Sequence, residues 1–410
     1  MPRLVVLAVE RGKILSAFTD KGDAFARTFV KSGTYGFVPG HPSAYTQPLY
    51  GFFLVPFYWI FGRHWEVVGL AQIAVAFGTA LFVYEIGRRI VSPAGGVIAA
   101  VLTTLHPYLV WHDVHMNREI LDQFLAAAIV LLTIVAAARP TLRIGALLGI
   151  ALGLAILGNV RLAALPLLVC AFVAWRTRWS RQAVAFAGVA LAVTALTVLP
   201  WVVRNRASVG CFAVTTDARA LWKANNPNTY RVLTHGGWID NVPPIPGAPP
   251  TPQDSWGLWR ATGHYTAVDE CAQADFYSHR THAFWIHHPG AKAKLALLSA
   301  QMLWQPSVVE TSGRPNEGTF IDRLRTSTEP AYVIGLYVLG VAGLFFVSRA
   351  FAVLTVLLLA YQTAVAMIFV GVTRYRVPWD FLICVLACAA VVAFARRLAE
   401  ARVVRAEVET

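Results

Sequence analysis

The sequence predicts an all-α, polytopic membrane protein, and three observations predict it. Hydrophobic residues make up 57% of the 410-residue chain and charged residues only 14%, with a mean hydropathy of +0.55, whereas soluble globular domains carry about 25% charged residues. The apolar residues come in runs, about nine of which approach the ~20 residues needed to cross a bilayer. Arginines gather in alternate connections between these runs, as basic residues do in cytoplasmic loops. The formal net charge of +13 therefore belongs to span ends, where anionic lipid explains it, and nucleic acid is excluded as a partner.

Taken in order, the chain falls into four stretches. Residues 1–65 form an N-terminal segment, a first polar loop and an interfacial helix; 66–203 hold about six spans; 204–330 form a polar region with interfacial helices; 331–410 hold about three spans and a tail. The apolar run at 4–9 is too short to span and lacks the core of a signal peptide. Residues 23–32 read as a short helix closed by Gly33, and 49–61 as an aromatic, apolar helix lying along the bilayer. Spans follow at 67–86, 94–111, 120–138, 144–157, 162–175 and 183–203, then at 331–347, 350–372 and 377–394. Within the polar region, VPPIPGAPPTPQ at 242–253 is irregular loop, while 272–283 and 289–304 read as helices, the second amphipathic.

Alternate connections carry Arg88 and Arg89; Arg139 and Arg143; Arg176, Arg178 and Arg181; Arg349; and Arg396, Arg397, Arg402 and Arg405. These connections and the C-terminus are expected in the cytoplasm. The first loop, 112–119, 159–161, the long polar region and 373–376 then share the extracytoplasmic face of the cell membrane. An odd number of spans puts the N-terminus on that face too, so a first helix is expected to be missing from this sequence. Of the five cysteines, Cys170, Cys384 and Cys388 lie in apolar runs, whereas Cys211 and Cys271 fall in the polar region, where an oxidising compartment would let them pair.

Three constellations carry chemistry. The first loop holds Asp20 and Asp23. Asp23 reads either as an acid favouring the helix dipole, with Arg27 one turn on, or as a carboxylate able to act as a general base or bind a metal. On one helix His112, His115 and Glu119 would share a face with Asp113 beside them, which makes His112, Asp113 and His115 candidate ligands of a divalent metal ion or simply interfacial polar residues. Glu119, at the mouth of a span, needs a partner or a purpose. Arg161, Arg204, Arg206, Arg374 and Arg376 fall on the outer face, where they either anchor to lipid headgroups or fork onto a phosphate. With no Walker motif and no intramembrane acid chain, nucleotide-driven or proton-coupled transport is disfavoured.

The order of short motifs resembles a family. Gly22–Asp23, SGTYG at 32–36, PSAYTQPLY at 42–50, HPYLVW at 106–111 and Arg118–Glu119 come first. NVR at 159–161, PWVVRN at 200–205, NNP at 225–227, HHP at 287–289 and RYRVP at 374–378 complete the set. Together they resemble the polytopic GT-C glycosyltransferases that use polyprenyl-phosphate sugars, in particular bacterial relatives of protein O-mannosyltransferases and lipid A aminoarabinose transferases. Arg118 stands where the family often has Thr, and Asp23–Ala24 where it has an acidic pair.

The resemblance implies an integral membrane glycosyltransferase that moves a sugar, with inversion, from a polyprenyl-phosphate donor to an extracytoplasmic acceptor. Asp23 looks like the catalytic acid of the first loop, assisted by Glu119. Arg161, Arg374 and Arg376, with Lys223, would hold the lipid phosphate. Relatives differ in metal use, so no cofactor is assigned beyond a candidate divalent ion. The competing readings are a non-enzymatic carrier of lipid-linked glycans, an inactive relative, or a glycan ligase or polymerase with diphosphate-linked donors.

Overall fold

A computed structural model describes residues 2–16, 20–307 and 320–408. Among the described residues the regular structure is helical, apart from one isolated bridge between Val38 and His41. Of the basic residues predicted for the C-terminus, the side chain of Arg405 lies outside the described residues.

The chain opens with α1 (Pro2–Val9), α2 (Lys21–Ser32) and α3 (Pro48–Phe61). Asp20 starts α2 by accepting a hydrogen bond from the Gly22 N–H at 2.7 Å, and Gly33 ends it in the left-handed region at φ 70°. The cap is therefore Asp20, and Asp23 lies a turn inside. Gly22 also lets α2 lie against α3, because a Cβ there would come within 3.0 Å of the Gly51 backbone nitrogen.

Next come α4 (Trp65–Ile90), α5 (Pro93–Thr104), α6 (Pro107–His112), α7 (Glu119–Ala138), α8 (Leu142–Gly158), α9 (Leu165–Arg176) and α10 (Arg181–Ser208). The expected span at 94–111 is broken. Pro107 has no N–H to donate and disfavours helical backbone at His106, so α5 stops and the short α6 takes a new direction. Because α6 ends at His112 and α7 begins only at Glu119, the single helical face expected for His112, His115 and Glu119 does not form.

The polar region supplies α11 (Ala218–Ala224), α12 (Thr229–Thr234), α13 (Pro252–Thr262), α14 (Glu270–His287) and α15 (Pro289–Leu303). It is tied to the first loop through Glu270, whose Oε2 accepts from the Ala44 N–H at 3.0 Å and the Thr216 hydroxyl at 2.6 Å. Cys211 and Cys271 form a disulfide, with Cα atoms 5.8 Å apart. The chain closes with α16 (Phe320–Gly343), α17 (Arg349–Ile368), α18 (Thr373–Arg376) and α19 (Phe381–Val408).

Among the described residues five helices, α4, α7, α10, α17 and α19, are long and apolar enough to cross a membrane. Their interior-facing side chains, such as Val83, Ile129, Phe186, Leu354 and Leu382, join one buried apolar cluster. Phe77, Leu81, Leu196 and Val356 remain exposed on the outside, where a bilayer would cover them. This is a multi-pass membrane protein.

Close helix contacts rest on small residues. Gly145, Gly149 and Gly153 line one face of α8, and a Cβ at each would run into α10, within 2.9 Å of the Phe186 carbonyl oxygen, 2.6 Å of the Ala190 carbonyl oxygen and 2.5 Å of Thr197 Cβ respectively. This is the small-residue packing of membrane helices, here reinforced by the Thr194 hydroxyl donating to the Gly149 carbonyl at 3.2 Å. At one end of the bundle Ile90, Ala138, Arg176 and Ser348 line a common cavity, so the Arg-bearing connections meet there.

Candidate active site

The polar residues of interest lie where the first loop, the α6–α7 junction, the turn between α8 and α9, and α18 converge. A cavity of about 360 Å³ opens there. Its charged lining includes Asp20, Arg118, Glu119, Arg161 and Arg374, with Tyr375 among them.

Each side chain is positioned by local structure. Glu119 begins α7 and lies 3.8 Å from the Arg374 guanidinium. Arg118 donates to Gln47 Oε1 at 2.8 Å, which fixes it against the first loop. Arg161 sits on a 3-10 turn, Val160–Leu162, that Asn159 caps. Its carbonyl accepts from the Tyr361 hydroxyl at 2.8 Å, and its guanidinium lies 4.1 Å over the Tyr375 ring. Arg374 donates to the Tyr375 hydroxyl at 3.2 Å. Burial alone would push the Tyr375 phenol up, but Arg374, Arg161 and Arg118 outweigh it and bring it down to about 7. The three guanidiniums thus already favour an anion at this point.

Asp20 is the acid that faces this cavity from the first loop. Burial pushes its carboxyl up from the ordinary range, against the opposing pull of Arg118 and the Gly22 N–H. Sequence reasoning placed Asp20 in the loop without giving it a role. The signal was hidden by the helix boundary: the helix begins at Lys21 rather than at residue 23, so Asp20 is its N-cap, with one oxygen on the Gly22 N–H.

Asp23 is placed differently. It is 3% exposed and clamped by Arg63, whose Nε and Nη2 donate to its two carboxylate oxygens at 2.8 and 3.0 Å. The Tyr58 hydroxyl also donates to it at 2.7 Å, and Arg27 approaches only to 3.9 Å. Asp23 borders a second cavity, of about 540 Å³, which shares Asp20 and Lys21 with the first.

The other expected site residues separate. Arg376 is fully buried and does not line the first cavity; it donates to Asp380 at 2.9 Å and to the carbonyls of Leu303 and Gln305. Lys223 is likewise absent from the lining and pairs with Asp240 at 2.8 Å. Among the metal candidates, Asp113 accepts from Arg3 at 2.7 Å, His115 Nδ1 is 2.8 Å from the Trp111 carbonyl, and His112 stacks on the Tyr108 ring. These three do not converge, and among the described residues no group of three or more His, Cys, Asp or Glu side chains could hold a metal ion.

Residues 40–202 match the family model described as dolichyl-phosphate-mannose-protein mannosyltransferase. A search of curated proteins finds no match. Among solved structures, the Archaeoglobus fulgidus oligosaccharyltransferase AglB, in complex with an inhibitory peptide and a dolichol-phosphate, aligns with a TM-score of 0.50 at 15% identity, covering 99% of this chain and 52% of that one. ArnT from Cupriavidus metallidurans, bound to undecaprenyl phosphate, aligns with a TM-score of 0.43 at 17% identity, covering 95% of this chain and 76% of that one. The present chain therefore spans about half the length of the archaeal enzyme, and the likeness to it is one of fold. The chain is a multi-pass membrane protein of the GT-C fold, matched over residues 40–202 by the dolichyl-phosphate-mannose-protein mannosyltransferase family.

Proposed function

We propose that this protein is a glycosyltransferase that moves a sugar from a polyprenyl-phosphate donor to an extracytoplasmic acceptor, with inversion at the anomeric carbon. The observation that carries this reading is the first cavity, where the Asp20 and Glu119 carboxylates face Arg118, Arg161 and Arg374. The family match and the dolichol-phosphate bound in the AglB structure support the same donor class.

In this reading the donor phosphate lies between Arg161 and Arg374, in the place that the Tyr375 hydroxyl now fills. The acceptor hydroxyl approaches the anomeric carbon from the opposite side and loses its proton to a first-loop carboxylate. Its oxygen forms the new glycosidic bond as the bond between the anomeric carbon and the phosphate oxygen breaks. The leaving lipid phosphate keeps the electron pair, and the guanidiniums hold its charge. Asp20 is favoured over Asp23 as the base, because both carboxylate oxygens of Asp23 are already engaged by Arg63 and Tyr58, whereas Asp20 lines both cavities. Glu119 holds Arg374 in position. No step is assigned to a metal.

The test is transfer by the full chain in proteoliposomes, supplied with monophosphate-linked and diphosphate-linked polyprenyl sugars. Transfer from the monophosphate donor, lost in Arg374→Ala, is the expected result. Transfer from diphosphate donors alone would point to a ligase or polymerase, and donor binding without any transfer would point to a carrier.

A further inference from the structure

We propose that the second cavity is the acceptor site and that it takes an anionic saccharide, either free or as a glycolipid headgroup. The inference rests on the glycosyl-transfer reading above and adds the acceptor class to it.

The argument begins with position. The two cavities meet at Asp20 and Lys21, which line both. A ligand in the second cavity can therefore present a hydroxyl to Asp20 from a space separate from the one lined by the arginines that would hold the donor phosphate. At about 540 Å³ the space is within the range of small-molecule pockets and large enough for a short saccharide.

Charge gives the class. Lys21, Arg27, Lys31, Arg63 and Arg260 border the cavity against the two carboxylates of Asp20 and Asp23. Arg63 is taken by Asp23, and Lys21 by Asp217 at 2.5 Å. Arg27, Lys31 and Arg260 remain exposed, and their positive charge is in excess. Such a wall favours phosphate or carboxylate groups on the ligand.

Aromatic rings point to a sugar rather than a bare anion. Trp256 and Trp259 of α13 line the same space. Trp256 is stacked on Phe37, with ring centroids 5.0 Å apart, and carries Arg260 5.0 Å over its ring. Trp259 is half-buried at the edge of this group and offers its apolar surface to the C–H face of a pyranose.

This wall is firmly held. The capping box between Thr251 and Asp254 starts α13, and Arg219 Nη1 lies 2.9 and 2.7 Å from the two oxygens of Asp254. It also lies outside residues 40–202, the part that the family model matches. Because α13 carries none of the arginines assigned to the donor phosphate and, of the two cavities, lines only the second, acceptor choice would be made by an element other than those that bind the donor.

The experiment is ligand-observed saturation-transfer NMR on the full chain in nanodiscs, with glucose 6-phosphate, glucuronate and uncharged maltose as soluble probes. Vesicles carrying sulfoquinovosyl or galactosyl diacylglycerol serve as lipid probes in flotation. Anionic probes should bind and their neutral counterparts bind at least about tenfold more weakly. Binding should be lost in the Arg27→Ala/Lys31→Ala/Arg260→Ala variant and in Trp259→Ala, and kept in Arg374→Ala. The soluble and lipid arms separate a free glycan from a headgroup, and binding in either arm supports the inference. Equal binding of neutral probes, no binding in either arm, or loss in Arg374→Ala rather than in the α13 and α2 variants would overturn it. Binding of a polyprenyl-phosphate donor is measured alongside on the same variants. If it fails to depend on Arg374 the transfer reading fails, whatever the anionic saccharides do.

Discussion

Replacing Asp20 and Asp23 separately by Asn distinguishes two carboxylates that lie one helical turn apart. Asn caps a helix about as well as Asp, so Asp20→Asn keeps the hydrogen bond to the Gly22 N–H and leaves stability nearly unchanged. It removes the proposed base, and general-base catalysis is worth about 10²–10⁴ in rate. In Asp23→Asn one carboxylate oxygen becomes an amide nitrogen that faces Arg63. Breaking a buried ion pair costs about 3–5 kcal/mol. The Arg63 side chain is 27% exposed and one acceptor oxygen survives, so about 2–3 kcal/mol is expected here. The assay is transfer from a labelled polyprenyl-phosphate sugar in proteoliposomes, with thermal unfolding followed on the same preparations. Asp20→Asn should retain its melting temperature and lose transfer by at least a hundredfold. Asp23→Asn should melt earlier and, at a temperature where it is folded, lose much less. If Asp23→Asn abolishes transfer without destabilising while Asp20→Asn transfers normally, the reasoning is wrong and Asp23 is the base.

Other outcomes follow from the same geometry. Arg374, Arg161 and Arg118 bring the Tyr375 phenol down to about 7 although burial opposes them; above that pH the phenolate competes with a phosphate for the guanidiniums, and seating the phosphate there requires the phenolate to take up a proton. Donor affinity, measured with a phosphodiester-linked sugar whose own charge is constant, should fall by up to about tenfold per pH unit above pH 7, and Tyr375→Phe should flatten the profile. Arg374→Ala and Arg376→Ala should separate function from stability. The first should abolish transfer at ordinary donor concentrations through a raised donor KM, and lower the melting temperature less than the second, since Arg374 is only partly buried and lies 3.8 Å from Glu119. The second leaves the buried Asp380 with only His106, 3.4 Å away, and should cost about 3 kcal/mol, read by thermal unfolding. Gly149→Leu should prevent α8 from closing on α10 and abolish monodisperse protein in size-exclusion chromatography. Reducing Cys211–Cys271 opens a link across a sequence separation of 60, for which chain entropy alone estimates about 4 kcal/mol; the melting temperature should drop on adding dithiothreitol and stay constant in a Cys211→Ala/Cys271→Ala variant.

Much of the fold could be read from hydropathy because the bilayer imposes one length on every span. The runs at 67–86, 120–138 and 183–203 fall inside α4, α7 and α10, and no tertiary contact was needed to find them. The failures lie where backbone chemistry overrides hydropathy. The apolar run at 94–111 continues through His106–Pro107, but a proline ends a helix however apolar its neighbours are. The glycines of α8 at 145, 149 and 153 stand four residues apart, a spacing that sequence reasoning passed over, and it would not have named α10 as the partner, since small-residue stripes state that something packs closely without stating what.

The candidate site shows a subtler limit. Sequence order grouped Glu119, Arg161 and Arg374 on one side, and they do line a common cavity. Between two acids three residues apart, however, the motif drew attention to Asp23, next to Gly22. The choice between them depends on Arg63, which lies in the α3–α4 connection and carries no motif. Its guanidinium can reach Asp23 because α3 folds back along α2, a contact set by Gly22 against Gly51 and by the Tyr35 hydroxyl donating to the Pro48 carbonyl at 3.0 Å. The glycine that marks the motif is thus explained by helix packing. Its neighbour Asp23 is explained by an ion pair that braces this packing, which is why the proposed base is Asp20.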